Sequence, residues 1–289
     1  MVASLSTPSA WHTQRSISRK RRPSKVGCPN DLANQAGEYP TDKLAEAATI
    51  PLAAMTSAFA LYQDLSLPMP WHPATTPIPL IIYGAAAATG SYAIQLAKQS
   101  NIHPLICVAG RGIPYVEQLI DKSKGDIILD YTEGRDKLVE NLKAAVQKAG
   151  GKVEYAFDAV SEHGSFEDIG QVLDPKTGQL ALILPGKEYH GIPEGITTSK
   201  TSVGAAYDDG DSDPWQKKTG TLVGNPDFAF TFFRYFGRGL QQGFFKGHPY
   251  QIVPGGLGGI QQALTNLKAG KASAVKYVFR LEDTEGVAN

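Results

Sequence analysis

A run of small residues framed by two glycines, "GAAAATG", contains the residue types that could hold a phosphate. The apolar run "IPLIIY" precedes it, and "SYAIQLAKQS" follows it with helical spacing. A turn between a strand and a helix presents backbone N–H groups and the positive end of the helix dipole to an anion. The run therefore predicts a dinucleotide-phosphate turn. The residues expected to line the diphosphate are Gly84, Ala86, Ala87, Ala88, Thr89 and Gly90.

Alanine occupies two positions of this turn where glycine is usual. Ala85 and Ala87 each add a methyl group, which narrows the space for a phosphate. Residues this small permit a slightly displaced diphosphate, and the Thr89 hydroxyl and the first helical N–H groups remain available to it. We therefore expect a relaxed but working phosphate turn.

A second candidate loop, Ala109-Gly110-Arg111-Gly112, follows the next strand-like run. An NAD-specific fold presents a carboxylate here to the ribose 2′-hydroxyl, but this loop contains neither Asp nor Glu. The Arg111 guanidinium can instead bind a 2′-phosphate through paired hydrogen bonds. We therefore expect the loop to bind NADPH or NADP rather than NADH. The alternative is that Arg111 is an ordinary solvent-facing loop residue.

Alternating strand-like and helix-like segments position both loops. The apolar runs lack polar alternation, which is typical of strands covered on both faces. Strand–helix repetition of this kind predicts an α/β fold with a doubly wound, Rossmann-type parallel sheet of about six strands. The runs expected to form strands are "IPLIIYG", "HPLICVAG", "DIILDY", "VEYAFDAV", "LALILPG" and "TSVGAAY". Before the first strand, Pro51 is expected to divide a helical segment in two.

Composition argues against several other classes of function. The 28 basic and 28 acidic residues balance, so no global field favours nucleic acid or an acidic membrane surface. Two cysteines, Cys28 and Cys107, cannot form a disulfide framework or a four-thiolate zinc site, and they favour a reducing, cytoplasmic setting. The six histidines show no compact metal-ligand spacing, so no metal is expected. The aspartates of 208–213 lack the later Glu of a calcium loop, and no G-x-S-x-G nucleophile elbow precedes a helix.

The first 30 residues contain no Asp or Glu, whereas basic residues are frequent between Arg15 and Lys25. Segments rich in Arg and Ser but poor in acids are typical of mitochondrial presequences, and "RKRRPSK" resembles a nuclear address. We expect a disordered basic tail over 1–37, with mitochondrial targeting as the alternative to a cytoplasmic location. No apolar run approaches the roughly 20 residues of a membrane-spanning helix.

Several segments, in their order along the chain, resemble the medium-chain dehydrogenase/reductase superfamily over residues 38–284. They are "AATIPLAAMTSAFALYQDLSLPMPW", "YGAAAATGSYAIQLAK", "DIILDY", "FDAVSEHGS", "LALILP" and "HPYQIVPGGLGGIQQALTNLKAGKASAVKYVFRL". The resemblance is to zinc-free fungal members, which include quinone-oxidoreductase-like proteins and the trans-acting enoyl reductases that partner polyketide synthases. It implies hydride transfer from NADPH to an enoyl thioester, an enone or a quinone-like substrate.

The resemblance also implies further site residues. Tyr131 matches a tyrosine on the adenosine side of the cofactor. Ile183 and Leu184 match the strand end beside the nicotinamide ribose, and Ser273 with Ala274 matches a C-terminal turn near the nicotinamide. The residues matched to the substrate cleft are Gly204, Ala205 and Tyr207. No catalytic residue is assigned.

Members of this superfamily begin with a GroES-like catalytic domain, and this chain matches only a remnant of it. The implied organisation is a catalytic-domain remnant with connecting helices over 38–75, a dinucleotide-binding domain over 76–245, and a C-terminal segment over 246–289 that returns to the catalytic domain. Two functions follow. One is an active reductase that acts on a small-molecule or carrier-bound acyl substrate. The other is an inactive nucleotide-binding module, or a remnant that interacts with a synthase.

Overall fold

Six parallel strands form the central sheet, in the order β3-β2-β1-β4-β5-β6. The computed structural model describes residues 41–207 and 225–286. The predicted tail over 1–37, Cys28 and the aspartate-rich loop at 208–213 lie outside the described residues. The sheet order reverses between β1 and β4, so the predicted doubly wound parallel sheet is confirmed. The strands are β1 (Leu80–Tyr83), β2 (Leu105–Ala109), β3 (Ile127–Asp130), β4 (Tyr155–Asp158), β5 (Gln179–Leu182) and β6 (Thr197–Lys200).

The helices cover both faces of this sheet. They are α1 (Thr41–Ala48), α2 (Pro51–Ala58), α3 (Ala88–Gln99), α4 (Ile113–Val116), α5 (Arg135–Lys148), α6 (Ser165–Gly170), α7 (Pro226–Gln242) and α8 (Ile260–Lys268). One apolar core joins the sheet to α2, α3 and α7, and a second joins the opposite face to α5 and α6. Successive residues of β1 alternate between these cores, with Ile81 in one and Ile82 in the other. Each such side chain contributes about 1.5–3 kcal/mol on burial, which explains why the strand sequences show no polar face.

Pro51 separates α1 from α2, as the sequence predicts. Proline lacks an N–H donor and is tolerated in the first turn of a helix, where that donor has no partner within the helix. After Ala58 the chain continues through a π-helical turn, Phe59–Asp64, and then through the proline-rich residues 66–79 to β1.

The predicted sixth strand, "TSVGAAY", is wrong. The strand lies at Thr197–Lys200, and Val203–Ala206 form a 3₁₀ turn in which the Ser202 hydroxyl accepts a hydrogen bond from the Gly204 N–H. The polar sequence "TTSK" lies at an edge of the sheet, where Thr197 and Thr198 are exposed, so it shows none of the apolar signal of the inner strands. The helix after β2 is short, since α4 ends at Val116.

After α7, the chain forms a second, two-stranded parallel sheet from β7 (Tyr250–Ile252) and β8 (Lys276–Val278). Between these strands lie α8 and a glycine-containing turn. All described residues belong to one compact unit, Pro40–Asn289. The predicted boundaries at 38–75, 76–245 and 246–289 stay predictions.

Candidate nucleotide-binding site

The phosphate turn connects β1 to α3 at the carboxyl edge of the sheet. Gly84 has a φ of +75°, a conformation that favours glycine, and its carbonyl accepts a hydrogen bond from the Ala87 N–H at 2.8 Å. Gly90 packs directly onto this turn, because a Cβ at that position would come 2.2 Å from the Gly84 carbonyl oxygen. The two glycines framing the run are thus required by close backbone packing, as the sequence pattern indicates.

Backbone amides at the start of α3 are available to an anion. Within the described part of the chain, the N–H groups of Ala86, Ala88, Thr89 and Gly90 have no acceptor, because first-turn donors of a helix lack partners within it. The helix dipole adds partial positive charge at the same point, and no acidic residue lies in the first turn of α3. This turn therefore offers a group of donors that matches the chemistry of a diphosphate.

Three of the predicted cofactor loops converge at Gly112. A Cβ at this position would lie 2.3 Å from the Ala86 Cβ and 3.2 Å from the Ala274 Cβ. Gly110 packs against the ring of Tyr131, with 2.8 Å between its hypothetical Cβ and the ring atoms. The phosphate turn, the loop after β2 and the C-terminal turn consequently form one continuous surface.

Arg111 lies exposed between these two glycines. One of its terminal guanidinium nitrogens, Nη2, donates a hydrogen bond to the Gly270 carbonyl oxygen at 2.6 Å. The side chain thus points toward the C-terminal turn, and its other guanidinium donors remain available to a ligand. The predicted 2′-phosphate contact is compatible with this placement and stays a prediction.

The role near the nicotinamide that the resemblance implies for Ser273 and Ala274 stays a prediction. Ala274 lies on the C-terminal turn. It packs against Gly112 after β2, whereas Ile183 follows β5. The strand order puts three spacings between β2 and β5, which is roughly 14 Å. Sequence reasoning could not detect the contact between Ala274 and Gly112, because it joins residues 162 positions apart.

A cavity of about 280 Å³ opens beside the carboxyl ends of β1, β3 and β4. Its lining residues are Tyr83, Tyr131, Arg135, Leu138, Val160, Glu162, His163 and Asp168. Tyr131, predicted for the adenosine side, is one of them. Burial, with Asp168 nearby, raises the pKa of the Tyr83 phenol above its usual value, so the hydroxyl remains a hydrogen-bond donor. Aromatic and aliphatic walls of this kind suit a flat heteroaromatic ring.

An ion-pair cluster that the sequence did not reveal forms one wall of this cavity. Arg135, at the start of α5, donates from Nε to Asp168 Oδ1 at 2.5 Å and from Nη2 to Glu167 Oε2. These carboxylates hold the pKa of Arg135 above its usual range. Because the two charges on α6 already neutralise the guanidinium, Arg135 shapes the cavity rather than supplying a free charge for a phosphate.

The loop after β4 holds the strand end at Ile183, which is predicted to lie beside the nicotinamide ribose. Asp158 is fully buried and accepts hydrogen bonds from the N–H groups of Val160 and Ser161 and from the Ser165 hydroxyl. Burial raises the Asp158 pKa despite these donors. The Ser161 hydroxyl oxygen accepts from the Ile183 N–H at 3.0 Å, so this loop fixes the strand end at Ile183. Asp158 and Ser161 lie within "FDAVSEHGS", but neither was predicted to have a role in the site.

Leu184 follows Ile183, and its carbonyl oxygen accepts a hydrogen bond from the Tyr189 hydroxyl at 2.9 Å. The predicted substrate residues lie on the turn after β6. Gly204 is exposed and Tyr207 is 80% exposed, whereas Ala205 is buried in the core, and its carbonyl accepts from the Asn225 N–H. The roles of these residues stay predictions.

Within residues 41–207 and 225–286, no group of three or more His, Cys, Asp or Glu side chains could hold a metal ion. In the same described ranges, no helix combines the length and apolar character needed to cross a bilayer. Cys107, on β2, is buried, which raises its thiol pKa above the usual range and suppresses the thiolate.

Comparisons with known proteins agree with this fold. A trans-enoyl reductase of Gibberella fujikuroi, fsr4, is 49% identical over 212 residues, which are 73% of this chain and 58% of that protein. The trans-enoyl reductase ACTTS2 of Alternaria alternata is 27% identical, covering 82% of this chain and 65% of that protein. This chain therefore spans less than two thirds of either relative. No family model matches the chain.

Solved structures share the fold at low sequence identity. The CurK enoyl reductase superposes with a TM-score of 0.59 and 17% identity, over 84% of this chain and 65% of that one. An alcohol dehydrogenase from Aeropyrum pernix gives a TM-score of 0.59 with 18% identity, over 84% of this chain and 59% of that one. The shared fold agrees with the predicted resemblance to the medium-chain dehydrogenase/reductase superfamily. By sequence, the chain is a homologue of fungal trans-enoyl reductases.

Proposed function

We propose that this protein is an NADPH-dependent reductase that acts on the carbon–carbon double bond of an enoyl thioester. The observation that carries the nucleotide part of the proposal is the convergence of Ala86, Gly112 and Ala274 beside the free amides of α3. The choice of substrate is supported by the similarity to proteins named trans-enoyl reductases. An enone or a quinone-like acceptor has the same electrophilic character and is the alternative substrate.

The described residues suggest how the cofactor would be held. When bound, the nicotinamide supplies hydride chemistry. The first-turn amides of α3 would bind the diphosphate, and Arg111 the 2′-phosphate. The cavity beside Tyr83 and Tyr131 would accept the adenine ring. Ile183 and Leu184, fixed by the loop after β4, would orient the nicotinamide ribose.

The protein's partners follow from the same proposal. A carrier-bound acyl chain would reach the nicotinamide side of the sheet edge, where Gly204 and Tyr207 are exposed. A polyketide synthase that presents the substrate on its carrier domain is the proposed protein partner. A reducing cytoplasmic location would suit both the buried Cys107 thiol and the use of NADPH.

A two-stage assay tests this function. Calorimetric titration of the purified protein first measures NADPH and NADH affinity, and loss of NADPH absorbance with crotonyl thioester or with a quinone then measures turnover. We expect tighter binding of NADPH than of NADH, and NADPH oxidation that depends on the crotonyl thioester. NADPH binding without turnover on either acceptor would instead indicate a nucleotide-binding module. No binding at all would reject the proposal.

A further inference from the structure

A buried histidine, His248, contacts the helix that follows the phosphate turn. Only 2% of His248 is exposed, and its Nδ1 lies 2.9 Å from the Ser91 hydroxyl oxygen. Ser91 is the residue after Gly90, and its hydroxyl also donates to the Ala88 carbonyl at 2.9 Å. Burial lowers the pKa of His248 to about 4, so the imidazole is neutral at physiological pH. The His248–Ser91 pair therefore reaches the first turn of α3 without placing a charge there.

The chain around His248 is held by side chains instead of by secondary structure. The side chains that bind this segment lie on one face of α3, on α1, and at Thr49 directly after α1. The bonds run from the Lys246 N–H to Gln95 Oε1 (2.9 Å), from Gln95 Nε2 to the Lys246 carbonyl (3.1 Å), from the Gly247 N–H to Glu46 Oε1 (2.8 Å), and from the His248 N–H to the Tyr92 hydroxyl (2.8 Å) and Thr49 Oγ1 (3.0 Å). These hydrogen bonds fix the segment Lys246–His248 relative to α3.

Elements next to the other two loops of the candidate site lie beside the His248 segment. The ring of Tyr115, three residues after Gly112, meets the imidazole edge-on with 5.2 Å between ring centroids. On the C-terminal side, the Lys276 N–H donates to the Pro249 carbonyl at 2.8 Å, which ties the His248 segment to the strand that follows Ala274. The imidazole thus contacts Ser91 and Tyr115, which lie beside two of the converging loops, and the backbone that follows it bonds to β8 beside the third.

We propose that His248, acting through Ser91, is a positioning residue that sets the spacing of the three loops around the nucleotide phosphates. His248 does not itself contact the nucleotide, and the inference rests on the proposed function. The free amides of α3 can bind a diphosphate tightly only if their geometry is fixed before binding, and supporting hydrogen bonds supply that preorganisation. The His248–Ser91 pair therefore contributes to binding of the phosphates and not to binding of the nicotinamide.

Matched variants test this inference. His248→Leu removes the bond to Ser91, His248→Asn keeps a side-chain donor and acceptor near Nδ1, and Ser91→Ala removes only the hydroxyl. The control is His103→Leu. His103 is also buried, with its Nδ1 2.7 Å from Asp126 Oδ1, but it precedes β2 at the opposite edge of the sheet. Each variant is titrated with NADPH, 2′-phospho-ADP-ribose and reduced nicotinamide riboside, which carries no phosphate, below its unfolding midpoint.

We expect His248→Leu and Ser91→Ala to weaken NADPH and 2′-phospho-ADP-ribose by about tenfold each. His248→Asn should recover most of this loss, affinity for reduced nicotinamide riboside should stay unchanged, and His103→Leu should bind NADPH like the wild type. If His248→Leu fails to fold, Ser91→Ala carries the same expectation. Wild-type NADPH affinity in folded His248→Leu and Ser91→Ala, or an equal loss in His103→Leu, would overturn the inference while leaving the proposed function intact. A wild-type protein that binds no NADPH would remove both.

Discussion

Gly112 and Ala86 belong to different loops, yet a methyl group on Gly112 would come only 2.3 Å from the Ala86 Cβ. We therefore expect Gly112→Ala to push the phosphate turn away from the loop after β2. Overpacking of this kind costs about 1–3 kcal/mol of stability. It should also weaken NADPH, because the amides of α3 would move relative to Arg111. Calorimetric titration and denaturant unfolding measure the two effects.

The second half of this test uses Ala86→Gly. Removing the Ala86 methyl leaves the Ala86 Cα, which is 3.7 Å from the Cβ of an alanine at position 112. The double variant should therefore recover both stability and NADPH affinity relative to Gly112→Ala alone. If the two changes are simply additive, the contact between these loops does not determine the shape of the site.

Gly90→Ala should be more damaging, because its new methyl group would meet backbone. The Cβ would come 2.2 Å from the Gly84 carbonyl oxygen and 2.8 Å from the Ala85 Cα. We expect a loss of about 2 kcal/mol or more in the free energy of unfolding. Gly237→Ala in the middle of α7 is the control, since among the described residues no atom outside its own stretch of helix would lie within 4 Å of the new Cβ. That change should stabilise the protein by about 0.5–1 kcal/mol, and similar losses in both variants would contradict the packing argument.

Local patterns were sufficient to predict the main elements of the fold. The spacing of Gly84 and Gly90 between an apolar strand and an amphipathic helix specifies a compact phosphate turn, because only glycine fits both positions. The inner strands are visible because both of their faces are buried. The edge strand Thr197–Lys200 escaped prediction because its environment requires no apolar residues.

The parts of the site that escaped prediction depend on contacts between distant residues. Ala274 reaches Gly112, and Arg135 pairs with Asp168, without any sequence spacing that indicates either contact. The spacing of the histidines in the sequence bears only on metal binding, whereas in the structure the partner of His248 is the Ser91 hydroxyl. Individual loops could thus be placed on strand ends, but the strand order and the return of the C-terminal segment decide which loops meet.

Arg111→Glu tests the choice between NADPH and NADH. A guanidinium–phosphate contact is charge-assisted, and a carboxylate in its place would repel a 2′-phosphate. We expect the affinity for NADPH to fall by about tenfold or more and the affinity for NADH to change little. Arg238→Glu on α7 is a charge-matched control, since Arg238 is exposed and its Nε donates to Gln242. Equal losses for the two nucleotides would reject the role of Arg111 in 2′-phosphate binding.

Asp64, at the end of the π-helical turn, is expected to make stability depend on pH. The Thr201 hydroxyl donates to Asp64 Oδ2, but burial dominates and raises the pKa of Asp64 from 3.8 to about 6. The folded protein therefore holds a proton that the unfolded chain releases. Ionisation of the buried Asp64 carboxyl therefore lowers the free energy of unfolding as pH rises from about 4 to about 6. The loss is complete above that range.

Asp64→Asn keeps an acceptor for the Thr201 hydroxyl and removes the charge. We expect a gain in the free energy of unfolding of up to about 3 kcal/mol at neutral pH, shrinking toward zero below about pH 4. Denaturant unfolding across this pH range measures the difference. Asp130→Asn is the control with the opposite sign. The hydroxyl and N–H of Thr132 hold the pKa of Asp130 below its usual value, so this variant should lose stability at neutral pH. A gain in Asp64→Asn that does not vary with pH would show that the carboxylate is not the cause. The cost of burying a charged carboxylate disappears when the group is protonated at low pH.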